Sequence, residues 1–262
     1  MLRDSYVKHC VTKALKRKQM KRKIGISGIS GRIGQRIVEI INSDDNLEVS
    51  CGLVSAYSKY KSDDFPVSNK CQKSDVWIDF STPDAFEIVL KHCIETKTPL
   101  VSGTTGLSKK HFKEIENAAQ TIPVLWASNF AISVNLIQNL LSKYTQLRES
   151  DVTITESHHI HKTDKPSGTA ISLARSIKPH GILKSVKEDE FLLEDVKIKS
   201  IRDKEIAGIH KIELENKSEI IKISHSAKTP KIFAQGALNV AKWLLNKEHG
   251  IYTMNEYIDS LS

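Results

Sequence analysis

Glu156 to Ala170 is the densest run of proton-handling residues in the chain: His158, His159 and His161, then Lys162 and Asp164. A histidine can hold or release a proton near neutrality, and an ammonium beside it can steady an anion. Ser167-Gly168-Thr169 follows, and then Ala170-Ile171-Ser172-Leu173-Ala174, an apolar run that reads as a helix with Ser167 or Thr169 as its N-cap. The free N–H groups of a helix start make a ready anion site. Upstream, residues 151–156 alternate like a strand. A strand ending in titratable groups, followed by a turn suited to a carboxylate, fits acid catalysis on an anionic substrate. The plainer alternative is a solvated polar loop.

The elements that would position this run begin at Lys23. A short strand, 24–27, leads into Gly28-Ile29-Ser30-Gly31-Arg32-Ile33-Gly34, and a helix at 35–41 follows. Strand, glycine turn and helix is the context of a dinucleotide fingerprint, although the spacing is G-x-x-G-x-x-G, with Ser30 where a middle glycine would stand. A second strand, 47–54, ends at Ser55, where an acid would normally hold the ribose of NAD; Lys59 and Lys61 lie just beyond. A missing acid with nearby bases favours NADPH over NADH.

Further strands are expected at 75–80, 99–102 and 123–127, with helices from Pro83 and at 108–119. The strands end in Phe80-Ser81-Thr82-Pro83, Gly103-Thr104-Thr105-Gly106 and Ser128-Asn129-Phe130. Alternating strands and helices predict an α/β, Rossmann-like, doubly wound parallel sheet, with ligands bound at the carboxyl ends of its strands. After residue 130 the pattern changes to a helix at 134–144, the 151–156 strand, a helix at 169–177 and strands at 196–202, 210–215 and 219–225. Residues 178–190 receive no firm assignment. This predicts a second, α+β domain with a mixed or antiparallel sheet and one wet face. A closing helix at 235–245 is expected to return to the first domain. The resulting division is a basic extension (1–20), a dinucleotide-binding domain (21–129), a substrate and oligomerisation domain (130–231) and the returning segment (232–262).

The net charge of +8 belongs to the start of the chain. Residues 1–23 hold nine Lys/Arg against Asp4, and the remainder carries 30 basic and 30 acidic residues. The neutral body gives no nucleic-acid-binding face. The basic extension is read as an upstream start before Met20, in preference to a transit peptide or a binding arm. No apolar run approaches the ~20 residues of a membrane span. Cys10, Cys51, Cys71 and Cys93 lie far apart without C-x-x-C pairing, which implies a reducing, cytoplasmic setting and no zinc site.

Taken together, Gly28-x-x-Gly31-Arg32-x-Gly34, Asp75-Val-Trp-Ile-Asp-Phe-Ser-Thr-Pro83, Gly103-Thr-Thr-Gly106, Ser128-Asn129-Phe130, Glu156-x-His158-His159-x-x-Lys162-x-Asp164-x-Pro-Ser-Gly-Thr169, Arg202-x-x-x-Ile206-x-Gly208-x-His210 and Phe233-Ala234-x-Gly236-Ala237 resemble the 4-hydroxy-tetrahydrodipicolinate reductase family, in order and over 24–240. The resemblance implies that NADPH or NADH reduces a cyclic imine dicarboxylate in the diaminopimelate route to lysine. It casts His158 as proton donor with Lys162 as its partner, and gives a substrate carboxylate to His159, Lys162, Ser167, Gly168 and Thr169. It assigns the cofactor to Gly28, Gly31, Arg32, Ile33, Gly34, Ser55, Phe80, Gly103, Thr104, Thr105, Ser128, Asn129 and Phe130, and it implies a homotetramer built through the second domain's sheets. The chain departs from the family at Ser30, Ser55, Ser133 and Pro230; for an arginine common near 230, either Lys231 substitutes or the contact is lost. Two other classes fit parts of the pattern: a metal hydrolase using the three histidines, and a non-catalytic NADPH-binding sensor.

Overall fold

The computed structural model describes residues 20–143, 149–203 and 206–261; the basic extension, apart from Met20, and Tyr144, the expected end of a helix, lie outside them. Two sheets organise the chain. The first has seven strands, β1 (Arg22–Ser27), β2 (Leu47–Leu53), β3 (Val67–Ser68), β4 (Val76–Asp79), β5 (Leu100–Ser102), β6 (Pro123–Trp126) and β13 (Gly250–Tyr252), in the order β13-β6-β5-β4-β1-β2-β3. All its pairings are parallel. Parallel strands are buried on both faces, which is why β4 reads as a continuous apolar run. Ile24, Ile26, Val76 and Ile78 face a core shared with α1 (Arg32–Ile41) and α6 (Lys231–Leu244). Trp77 faces the opposite way, into a core with α2 (Pro83–Thr96) and α3 (Lys109–Ala118). The order reverses between β1 and β4, the place where such sheets open a ligand crevice.

The second sheet has six strands: β7 (Asp151–His158), β8 (Leu183–Lys187), β9 (Glu190–Leu193), β10 (Val196–Arg202), β11 (Ile209–Glu215) and β12 (Ile220–Ser226), ordered β12-β11-β7-β10-β9-β8. It is mixed, because β7 and β10 run parallel while the other neighbours are antiparallel. One face is covered by α4 (Ile132–Lys143) and α5 (Gly168–Ile177), through Leu141, Ala170, Leu173, Ala174 and Ile177. The other face is open, with Lys197, Lys199, Lys211 and Glu213 exposed.

Register shows how this sheet serves chemistry. Across the covered face one row is all isoleucine: Ile198, Ile154, Ile212 and Ile223. The next is Ser200, Glu156, His210 and His225, and the one beyond pairs Arg202 with His158. Two residues along each strand turn hydrocarbon into polar groups, ionisable on three of the four strands. Near the end of the chain α6 packs against α1 under the first sheet, and α7 (Met254–Asp259) adds Met254, Tyr257 and Ile258 to the same core.

Candidate functional site

Glu156 is the centre of the polar rows. Residues two apart on a strand share a face, so Glu156 and His158 project together beneath the sheet. The Glu156 carboxylate is fully buried and accepts from His158 Nδ1 at 2.5 Å. It also accepts from the Ser167 N–H at 3.2 Å and from Arg202 Nη1 at 3.0 Å. Burial opposes its ionisation, but the bonds from His158 and Arg202 and the guanidinium charge outweigh that cost, and its pKa falls to about 2. The site is therefore built round a permanent carboxylate.

His158 is 8% exposed, and a Cβ added at Gly208 would lie 3.1 Å from its Nε2. Its ring stands edge to face with His210 at 5.3 Å. Burial and then the neighbouring imidazoles His158 and His225 lower the His210 pKa to about 4, so His210 is neutral near pH 7. His210 Nε2 reaches the Ser167 hydroxyl at 3.4 Å.

The segment after β7 turns back through a Lys162 N–H to His159 carbonyl bond at 3.1 Å. Lys162 Nζ contacts Asp164 Oδ1 at 2.7 Å, while His161 is exposed and its ring lies 6.2 Å from that of His159. Ser167 is the N-cap of α5 and accepts from the Ala170 N–H at 3.2 Å. Gly168 is exposed and no atom lies within 4 Å of its added Cβ, so the helix start is open to a ligand. Thr169 is not the cap: its hydroxyl accepts from Asn129 Nδ2 at 3.1 Å, a bond that joins the loop after β6 to the second domain.

Beside the β1–β4 switch point the loops close up. Gly28 has φ +73°, and a Cβ there would fall 2.1 Å from the Phe80 carbonyl oxygen. Only glycine holds that conformation at that distance without strain. Gly31 is the N-cap of α1 with no side-chain cap bond; Arg32, Ile33 and Gly34 form the first turn, which carries no acid. This bare helix start suits a pyrophosphate. Gly103 meets the Phe80 ring, which stacks edge-on against Phe130 at 5.5 Å. Ser55, Lys59 and Lys61 are exposed beyond β2, and Thr105 and Ser128 are exposed on neighbouring loops. These residues fit a dinucleotide.

Three groups central to this geometry were absent from the candidate residues: Glu156, Arg202 and Asp79. Thr104, expected among the cofactor contacts, is 1% exposed, and its hydroxyl donates to buried Asp79 at 2.6 Å. Ser102 donates to Asp79 at 2.9 Å, and Ser81 also donates to it. Burial raises the Asp79 pKa in spite of these hydroxyls. Phe130 is likewise 1% exposed and serves as packing. The i, i+2 spacing of Glu156 and His158 was a signal available in the sequence. Arg202 stood in a family motif with no role assigned, and spacing gave no sign of its pairing with Glu156, 46 residues away.

Family models described as dihydrodipicolinate reductase, N-terminus and C-terminus, match residues 22–130 and 133–258. The chain is 38% identical over 237 residues to the 4-hydroxy-tetrahydrodipicolinate reductase of Rickettsia canadensis, covering 89% of this chain and 97% of that protein. It is 35% identical over 236 residues to the enzyme of the same name from Bdellovibrio bacteriovorus, covering 90% and 96%. Among solved structures, the dipicolinate-bound dihydrodipicolinate reductase of Paenisporosarcina sp. TG-14 matches with a TM-score of 0.74 at 22% identity, over 90% of this chain and 99% of that one. An amine dehydrogenase from Mycobacterium smegmatis shares the fold at a TM-score of 0.62 and 11% identity, over 91% and 96%. The chain belongs to the dihydrodipicolinate reductase family, the oxidoreductases of the diaminopimelate route to lysine.

Proposed function

We propose that the chain reduces 4-hydroxy-tetrahydrodipicolinate to tetrahydrodipicolinate, with His158 as proton donor, Lys162 as its partner and NADPH as preferred donor. The observation that carries the reading is that one ionised carboxylate, Glu156, bonds both His158 Nδ1 and the Ser167 N–H. The proton-donating ring and the carboxylate-binding turn are thereby parts of one unit. With Nδ1 engaged, His158 delivers its proton from Nε2 to the developing negative charge on the substrate ring. The Lys162 ammonium stabilises that charge, and the start of α5 at Ser167, Gly168 and Thr169, with His159, holds a substrate carboxylate. Lys231, in the first turn of α6, stands in for the arginine common near this position.

Gly28, Gly31, Arg32, Ile33 and Gly34 would hold the pyrophosphate, and Gly103, Thr105, Ser128 and Asn129 would flank the nicotinamide, with Phe80 behind. When bound, the nicotinamide supplies the hydride. Ser55 in place of an acid, with Lys59 and Lys61 nearby, supports NADPH. The homotetramer implied by the family resemblance would be built through the open face of the second sheet, which no described helix covers. No described helix is long and apolar enough to cross a membrane, and Cys51, Cys71 and Cys93 are free thiols, which supports a cytoplasmic setting.

The test couples the purified chain to the synthase that condenses pyruvate with aspartate semialdehyde, and follows NADPH and NADH oxidation separately. Substrate-dependent oxidation, faster with NADPH, is expected. His158→Ala and Lys162→Ala should each lower turnover by about 10²–10⁴-fold with cofactor binding intact. Full activity in both variants refutes the assigned roles, and folded protein that binds NADPH without turnover refutes the reaction in favour of a sensor.

A further inference from the structure

Arg202 is held more firmly than any other cation near the site, and the reaction does not call on it. Its side chain is 8% exposed. Nη1 donates to Glu156 at 3.0 Å, Nε donates to the Lys162 carbonyl at 3.1 Å, and Nη2 donates to the Asp164 carbonyl. The Asp203 N–H donates to the His158 carbonyl at 3.0 Å, so the chain on either side of this arginine is pinned to the end of β7. In the parallel register Arg202 stands opposite His158 itself.

We propose that Arg202 is a positioning residue: one planar guanidinium ties the backbone of the Lys162 turn to the Glu156–His158 pair, so that the ammonium and the imidazole are presented at a fixed separation. The inference rests on the reaction proposed above. The two carbonyls it grips flank Thr163, and they fix the path of the loop from which Lys162 projects. Without that grip the turn at Lys162 keeps its own Lys162 N–H to His159 carbonyl bond, the next tie to β7 is the Ser167 N–H on Glu156 five residues on, and Lys162 Nζ is free to follow its surface partner Asp164. The guanidinium is suited to this because its donors point in fixed directions within one plane. A lysine at the same position offers one compact charge and cannot serve a carboxylate and two carbonyls together.

Arg202→Lys and Arg202→Ala test the idea. Each is assayed for kcat, for KM of the cyclic imine, for the NADPH dissociation constant, and for activity in added methylguanidinium. Arg202→Lys should lower kcat/KM by about 10²-fold, the scale of a misplaced catalytic group, with NADPH affinity unchanged. Methylguanidinium should restore part of the activity of Arg202→Ala and none of that of His158→Ala. Wild-type kinetics in Arg202→Lys overturn the proposal; so does parallel loss of turnover and NADPH binding in Arg202→Ala without rescue, which is the mark of a purely structural ion pair. Should the folded wild-type chain show no turnover, the reaction falls, and Arg202 is judged by amide hydrogen exchange. Faster exchange at the Lys162 and Ser167 N–H groups in folded Arg202→Ala supports the tether, and unchanged exchange there overturns it.

Discussion

Glu156→Gln keeps the shape of the side chain and removes its charge, so it isolates what the buried carboxylate contributes. The folded pKa is about 2 against an ordinary 4.5, which corresponds to about 3 kcal/mol of stability. The folded pKa lies below the unfolded one, so the folded chain takes up this proton less readily. The contribution is complete above the unfolded pKa of 4.5 and disappears as pH falls toward about 2. By linkage, about 2 kcal/mol of it is gone at pH 3. The assay is urea unfolding of both proteins at a series of pH values from 7 to 3. His210 also titrates on unfolding, because burial holds its pKa at about 4 against 6.5, so both proteins weaken on acidification. The difference between the two curves carries the Glu156 signal. At pH 7 the variant should be less stable by at least about 3 kcal/mol, since Arg202 also loses its buried partner. That gap should narrow by about 2 kcal/mol by pH 3. Two curves separated by a constant amount across the series would refute an ionised Glu156 at the centre of the site.

Gly28→Ala puts a Cβ 2.1 Å from the Phe80 carbonyl at a φ of +73°, so the loop must move; NADPH affinity by fluorescence titration should fall at least about tenfold, and unchanged affinity would remove this loop from the cofactor site. Replacing Lys59 and Lys61 together by serine should raise KM for NADPH and leave KM for NADH unaltered; equal effects on both would show that neither lysine meets a 2′-phosphate. His210→Asn removes an imidazole that resists protonation until about pH 4 in the folded chain, against 6.5 unfolded. Its unfolding free energy should therefore fall less than that of the parent as pH drops through this window, and an identical acid dependence would count against a buried neutral His210.

The first sheet was legible because each of its central strands is a short apolar run closed by glycine, serine or proline, and the ends of those runs are the ligand side. The second sheet was harder to read. Leu183–Lys187 is an edge strand with four of its five residues exposed, so its sequence is that of a solvated loop and it fell in the stretch left unassigned; Glu190–Leu193, which begins where that stretch ends, was not anticipated either. Val67–Ser68 and Gly250–Tyr252 are too short to show a period, and neither they nor the terminal helix were anticipated. The parallel pairing of β7 with β10 was invisible as well, since alternation along a strand is the same whichever way its neighbour runs. The histidines, Lys162 and the Ser-Gly-Thr turn could be found by type and spacing. Arg202 stood in the family motif, but its part in the site could be read only once topology had set it beside His158.

Two buried carboxylates divide the work of the two sheets. Asp79 stands at the carboxyl end of β4 and is met by the hydroxyls of Ser81, Ser102 and Thr104, with no cation against it among the described residues. Hydroxyls offset part of the desolvation and no more, so burial raises its pKa. Its service is to knit the loops after β4 and β5, whose backbones and glycines then approach the crevice. Glu156 occupies the equivalent depth in the second sheet, but Arg202 and His158 stand against it, and the same burial that raises Asp79 is there outweighed. Under the proposed roles, a strongly ionised carboxylate would hold the proton donor, while a hydroxyl-bonded carboxylate whose ionisation burial opposes would shape the loops that flank the nicotinamide. Beneath His158 the Glu156 charge holds the ring proposed to give up a proton, whereas the hydroxyls round Asp79 hold loop backbone. The choice between hydroxyl and cationic partners therefore separates a carboxylate that ties loops together from one that holds an imidazole.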